Sequence, residues 1–133
     1  MKRLAEGVWV SGQIQPSQLE ELARAGFAIL VNHRPDDEEP GQPTAAELAE
    51  AARGHGMAAV SAPVSGMPGA DAVEATARAL ASLDDGQKAV MFCRSGMRST
   101  ATWAMVRRRE GADADDLRAA AAEAGYDLSR LPL

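Results

Sequence analysis

Val90-Met91-Phe92-Cys93-Arg94-Ser95-Gly96-Met97-Arg98-Ser99-Thr100 is the stretch on which the fold turns. Lys88 to Phe92 reads as a short apolar strand that ends at the chain's sole cysteine. A loop from Cys93 to Arg98 leads into a helix from Ser99 to about Glu110. Arg107, Arg108 and Arg109 then suit the negative end of that helix's dipole, and Gly111 closes it. A buried strand feeding a loop and then a helix is the repeating unit of a layered α/β fold.

The same alternation continues outward. Val8-Trp9-Val10 reads as a strand ended by Ser11-Gly12. Ser17-Gln18-Leu19-Glu20 has the pattern of a capping box and opens a helix to about Ala25, stopped by Gly26. Phe27-Ala28-Ile29-Leu30-Val31 is a continuous apolar run, as expected of a strand buried on both faces. An acidic, proline-rich loop runs from Asn32 to Pro43. Thr44 with Glu47 is a second capping box, opening a helix to about Arg53 that ends near Gly54, His55 and Gly56. Met57 to Ala62 is a further strand, closed by Pro63. After a Pro68-Gly69 turn, Asp71 reads as the cap of a helix that runs to about Leu83. A last helix starts at Asp113 and stops at Gly125. The expected fold is α/β, with a mostly parallel central sheet of four to five strands flanked by helices. Ligands of such sheets bind beyond the carboxyl ends of the strands. The loops starting at Asn32, Pro63 and Cys93 should therefore converge.

Composition narrows the function. The chain has 133 residues, one domain's worth. Its 25% charged and 46% apolar residues are ordinary for a soluble globular protein. A net charge of −5 makes it a poor partner for nucleic acid or an anionic membrane. No apolar run reaches membrane-span length. Met1-Lys2-Arg3 has no apolar stretch behind it, so no secretory signal is expected and a cytoplasmic location is the default. One cysteine excludes an internal disulfide and a multi-thiolate zinc site. The two histidines, His33 and His55, have no matching carboxylate spacing, so neither a metal nor another cofactor is expected. His33 reads as an exposed loop residue.

Cys93 is then either an inert core thiol or a nucleophile. A tight loop through Ser95 and Gly96 can turn backbone N–H groups inward as an anion nest. The following helix adds its own unpaired N–H groups and positive dipole. Arg98 adds a planar fork for an oxyanion. These features all favour a thiolate at Cys93. Ser99 could donate a hydrogen bond to that sulfur. Arg94, second in the loop, could attract an anionic substrate. The triple arginine of the helix end could dock an acidic partner, but a solvated helix end is its default.

Cys-Arg-Ser-Gly-x-Arg-Ser is similar to the active-site loop of rhodanese-type sulfurtransferases, and its strand–loop–helix setting is similar to that of protein tyrosine and dual-specificity phosphatases. The chain as a whole resembles a family between the two: the phosphatase-like domain of beta-lactamase hydrolase-like proteins, some of which are described as sulfur transferases. The likeness also takes in Gly12-Gln13, Asn32-His33-Arg34-Pro35-Asp36, Pro63-Val64-Ser65-Gly66 and Gly125-Tyr126-Asp127-Leu128. It implies the cysteine-phosphatase (dual-specificity-phosphatase-like) fold rather than the rhodanese fold. It implies Cys93 as nucleophile and Arg98 as the anion-binding arginine. Arg94, Ser95, Gly96 and Met97 would cradle the anion, with Asn32 and Arg34 beside the pocket.

Two departures separate this chain from the phosphatases it resembles. Four residues stand between Cys93 and Arg98 where those enzymes have five, and Phe92 stands where they commonly have His. A phosphatase also needs an acid to protonate its leaving oxygen. No carboxylate lies between Pro63 and Asp71, so an acid would have to come from Asp36, Asp37, Glu38 or Glu39. Transfer of sulfane sulfur needs none, because a thiolate leaves readily. The sequence therefore favours a rhodanese-like sulfurtransferase. It would take sulfur from a small anionic donor such as thiosulfate or a glutathione persulfide. It would pass the sulfur to an external thiol or cyanide, since no second cysteine exists to resolve the persulfide. The alternatives are a cysteine-based phosphatase acting on a phosphate ester, and a non-catalytic anion- or partner-binding module. The residues leave open whether a separate sulfur-oxidising enzyme is a partner.

Overall fold

The computed structural model describes all 133 residues. Five strands form one sheet: β1 (Lys2–Ala5), β2 (Val8–Ser11), β3 (Phe27–Asn32), β4 (Ala58–Ser61) and β5 (Lys88–Phe92). Five helices accompany them: α1 (Leu19–Arg24), α2 (Ala45–Gly54), α3 (Ala70–Ala81), α4 (Met97–Arg109) and α5 (Ala114–Glu123). The strand order is β1-β2-β5-β3-β4. Strands β2, β5, β3 and β4 are mutually parallel, and β1 pairs antiparallel with β2 at one edge. This is the expected mostly parallel α/β sheet.

Strand β5 lies in the middle because it can be buried on both faces. Ala89 and Met91 point into one core, with Val10, Val31, Trp103, Leu117 and Leu128. Val90 and Phe92 point into the other, with Leu19, Leu30, Leu48 and Met57. The period-two alternation of a strand thus supplies both layers, one under α3, α4 and α5 and the other under α1 and α2. Phe92, fully buried, fills the α1/α2 side.

The boundaries differ from expectation in ways that local chemistry explains. A 3-10 turn at Pro16–Gln18 precedes α1. The side chain of Gln18 accepts the Gln15 backbone N–H at 2.7 Å, so the reciprocal cap is made by these glutamines and not by Ser17 and Glu20. Thr44 does cap α2, its hydroxyl accepting Glu47 N–H at 3.1 Å. Gly69, not Asp71, is the cap of α3, and Asp71 sits in the first turn beside the positive helix end. Helix α4 begins at Met97, two residues earlier than expected, because Gly96 adopts a left-handed conformation (φ +97°) and starts it there.

Candidate active site

Four parallel strands end on one side of the molecule, and the segments after them interlock there. His33 N–H donates to Phe92 O at 2.8 Å, Val64 N–H to His33 O at 2.8 Å, and Ala62 N–H to Asn32 O at 2.9 Å. Gln13 N–H reaches Arg94 O at 3.3 Å. The expected loops after β3, β4 and β5 therefore converge. The segment after β2 joins them.

Cys93 sits at the carboxyl end of β5 and is fully buried. The Gly96 N–H donates to its Sγ at 3.1 Å, so the loop folds back over the sulfur. The close packing explains the glycines. A Cβ on Gly12 would stand 3.0 Å from Arg94 O. A Cβ on Gly96 would stand 2.2 Å from the Tyr126 hydroxyl. Tyr126, from the segment after α5, donates to Ser95 O at 2.9 Å and clasps the loop from outside. Burial, and then the charge of Cys93, raise its phenol above the ordinary value. The hydroxyl of Ser95 accepts the Met97 N–H at 3.4 Å, at the start of α4.

Arg98 lies one residue into α4. Nη1 donates to Glu38 Oε2 at 2.7 Å and to Val64 O at 2.8 Å, and Nη2 donates to Glu38 Oε1 at 2.8 Å. A guanidinium has five N–H donors. Nε–H and one Nη2–H are thus left for an incoming anion, and they form a parallel pair of donors. Hydrogen bonding to Glu38 first, and then the charge of Cys93, raise the guanidinium above its ordinary value, against the effect of burial. Arg98 and the sulfur therefore share one electrostatic site.

The acidic loop after β3 has a structural role. Arg34 is 4% exposed, and its nitrogens donate to Glu38 at 2.8 Å, Glu39 at 2.6 Å and Gln13 at 2.8 Å. Glu39 also pairs with Arg94 at 3.2 Å. Asp36 accepts the Ala45 N–H at 2.8 Å, at the start of α2. Arg34 and Asn32, expected beside the pocket, form a clamp on the acidic loop. Each guanidinium nitrogen of Arg34 donates one hydrogen bond, and Asn32 Oδ1 accepts the Arg34 backbone N–H at 2.9 Å. Arg94, expected to attract an anionic substrate, is exposed and paired with Glu39.

Glu38 is held at about 2, well below the usual carboxylate range. The cause is first the hydrogen bond from Arg98, opposed by burial, and then that from Arg34. It is an ionised orienting group for Arg98 and a poor proton donor. Asp71, in the first turn of α3, is exposed.

His33 is the residue that sequence reasoning misplaced. It is fully buried, with Nδ1 at 2.7 Å from Ser99 Oγ and Nε2 at 2.8 Å from Thr76 Oγ1. Burial, then the neighbouring Arg98, lower its ring to about 4. The imidazole is therefore neutral near pH 7, with one donor and one acceptor nitrogen. Ser99, expected to serve the sulfur, bonds to His33, and the hydrogen bond on Sγ comes from Gly96. The one hint in the sequence was the position of His33, directly after an apolar strand. A strand's burial can carry past its last apolar residue.

Residues 1–110 match the family described as beta-lactamase hydrolase-like protein, phosphatase-like domain. A beta-lactamase hydrolase-like protein of Xylella fastidiosa is 32% identical over 127 residues, covering 94% of this chain and 29% of the relative. The chain thus spans less than a third of the length of that relative. A crystal structure of a phosphatase candidate from Neisseria meningitidis is 27% identical, with a TM-score of 0.78, covering 97% of this chain and 91% of its own. Human DUSP28 has the same fold, with a TM-score of 0.66 at 23% identity, over 94% of this chain and 83% of its own. The architecture is that of the cysteine phosphatases, and the chain belongs to the phosphatase-like domain family of beta-lactamase hydrolase-like proteins.

Proposed function

We propose that this domain is a sulfurtransferase that carries sulfane sulfur on Cys93. The observation that carries the reading is the short loop: four residues separate Cys93 from Arg98, and its Gly96 amide already closes on Sγ at 3.1 Å. A ring this tight suits one added sulfur atom better than a tetrahedral phosphoryl group. The state of Glu38 supports the same reading, since a carboxyl held at about 2 cannot protonate a leaving alkoxide.

In the proposed cycle the Cys93 thiolate attacks the outer sulfur of thiosulfate. The Sγ–S bond forms, the donor's S–S bond breaks, and sulfite leaves with the bonding pair. A glutathione persulfide would react in the same way, with glutathione thiolate leaving. The Cys93 persulfide anion is held by the Gly96 amide and the free Nε–H and Nη2–H of Arg98. An external thiolate or cyanide then attacks the outer sulfur and restores the Cys93 thiolate. No step needs a proton delivered to the leaving group.

Phosphate-ester hydrolysis through a phosphocysteine is the second reading. The fold and the names of the relatives favour it over sulfur transfer. Intact mass separates the two. After incubation with thiosulfate, the protein should gain about 32 Da per added sulfur, reversed by excess thiol and absent in Cys93→Ser. A protein that gains no sulfur but hydrolyses an aryl phosphate would overturn the proposal in favour of the phosphatase.

A further inference from the structure

Three large apolar side chains are exposed: Met1, Met67 and Met97. Met1 is the terminus. The other two lie on one groove of about 240 Å³ beside the active site. Met67, at 57% exposure, comes from the loop after β4, and Met97, at 38%, from the Cys93 loop itself. Pro68 and Arg98 line the groove as well. The groove therefore shares Arg98 with the active site, where the same side chain binds Glu38 and Val64 O. Exposed apolar surface gathered in one place marks a binding site more often than scattered residues do. Methionine thioethers also adapt to flexible apolar ligands.

The groove's remaining charges lie on the segment after α5. Asp127 uses Oδ1 to accept the Ser129 N–H at 2.9 Å. Arg130 is exposed and donates no hydrogen bond, though its charge lies within electrostatic reach of Asp127. The groove thus offers apolar walls, the arginine it shares with the active site, and a second, exposed arginine beside Asp127. Its volume holds roughly eight water-sized groups at about 30 Å³ each. That is the size of a short chain and too little for a folded partner's loop.

We propose that this groove is the acceptor subsite, and that the acceptor is a thiol on a short apolar stem whose far end is a carboxylate. The inference rests on the sulfur-transfer reading. The acceptor's stem lies along Met67, Pro68 and Met97, with its carboxylate at Arg130. Its thiol gives up a proton to solvent. The resulting thiolate attacks the outer sulfur of the Cys93 persulfide, the new S–S bond forms, the Sγ–S bond breaks, and Cys93 leaves as thiolate.

The test loads the protein with thiosulfate and then follows discharge of the added sulfur by intact mass. Mercaptohexanoate, mercaptohexanol and mercaptopropionate serve as the acceptors. Mercaptohexanoate should discharge the persulfide fastest. Arg130→Gln should slow mercaptohexanoate by about fivefold, the worth of one exposed ion pair, and leave mercaptohexanol unchanged. Met67→Ser should slow both six-carbon thiols relative to mercaptopropionate. Loading by thiosulfate should be the same in both variants. Equal discharge by all three thiols, or a persulfide indifferent to both substitutions, would overturn the subsite. Failure to load at all would instead overturn the sulfur-transfer reading beneath it. Binding of heptanoate to the Cys93→Ser protein, followed by NMR shifts at Met67 and Arg130, reports on the groove without any turnover. No shift at either residue would overturn the subsite on its own.

Discussion

Glu38 accepts from two guanidiniums at once, Arg34 and Arg98, and this arrangement organises the site. Its carboxylate takes the end-on fork of Arg98 and leaves the side donors Nε–H and Nη2–H for substrate. Glu38→Gln should cost about 2 kcal/mol in stability, the range for hydrogen bonds to charged groups. It should also slow sulfur loading about tenfold, because Arg98 loses its orientation. Unfolding by urea and single-turnover mass spectrometry measure the two effects. Two groups of the site contribute to the pH dependence of stability. Glu38 is depressed to about 2, so its contribution is full above the unfolded value of 4.5 and is lost as pH falls from there through about 2. His33 is depressed from 6.5 to about 4, so across that window the unfolded chain binds a proton that the folded chain refuses. Stability should therefore climb between about pH 4 and 6.5 and level off above. His33→Asn should flatten that upper rise and leave the lower one. An unchanged slope between pH 4 and 6.5 in the variant would show that another group is responsible.

At the scale of elements, the site depends on how α4 begins. Gly96 stands at φ +97°, its N–H on Sγ and the Tyr126 hydroxyl where a Cβ would project. Alanine there meets two obstacles, the left-handed backbone and the phenol. Gly96→Ala should cost at least 1 kcal/mol in backbone strain alone. It should also abolish efficient loading. Adding Tyr126→Ala should recover only part of the stability, because the backbone strain and the approach to Ser11 O at 3.3 Å remain. Thermal melts of the single and double variants decide this. Much of the element layout was legible in the sequence. Apolar run length set β3 and β5, and Thr44 with Glu47 announced α2. The start of α4 was read two residues late because a glycine in a loop signals flexibility as readily as a cap. β1 was not anticipated: Lys2-Arg3-Leu4-Ala5 has one buried residue and is held as a strand by pairing with β2, a non-local cause. The same limit hid the His33–Ser99–Thr76 chain, whose members lie 66 and 43 residues apart.

Across the whole molecule, a parallel sheet with its longest apolar strands in the middle carries four loops to one side, and the chemistry gathers there. The buried polar side chains are Asn32, His33, Arg34, Thr76, Ser99, Thr100 and Thr102, and they come from the end of β3, from α3 and from the start of α4. That Cys93 and Arg98 share one site could be read because their spacing is local. The roles of Asn32, Arg34 and Glu38 could not, since a sequence shows a charge but not which charge neutralises it. The fold is shared with phosphatases, and fold alone does not fix the reaction. The decisive measurement is therefore a parallel turnover assay on one preparation. Thiocyanate release from thiosulfate and cyanide is followed beside hydrolysis of an aryl phosphate, with Cys93→Ser as control for both. A sulfurtransferase should show sustained thiocyanate formation, lost in the variant, and phosphate release no faster than in the variant. Cys93-dependent phosphate release without thiocyanate would contradict the sulfur-transfer reading.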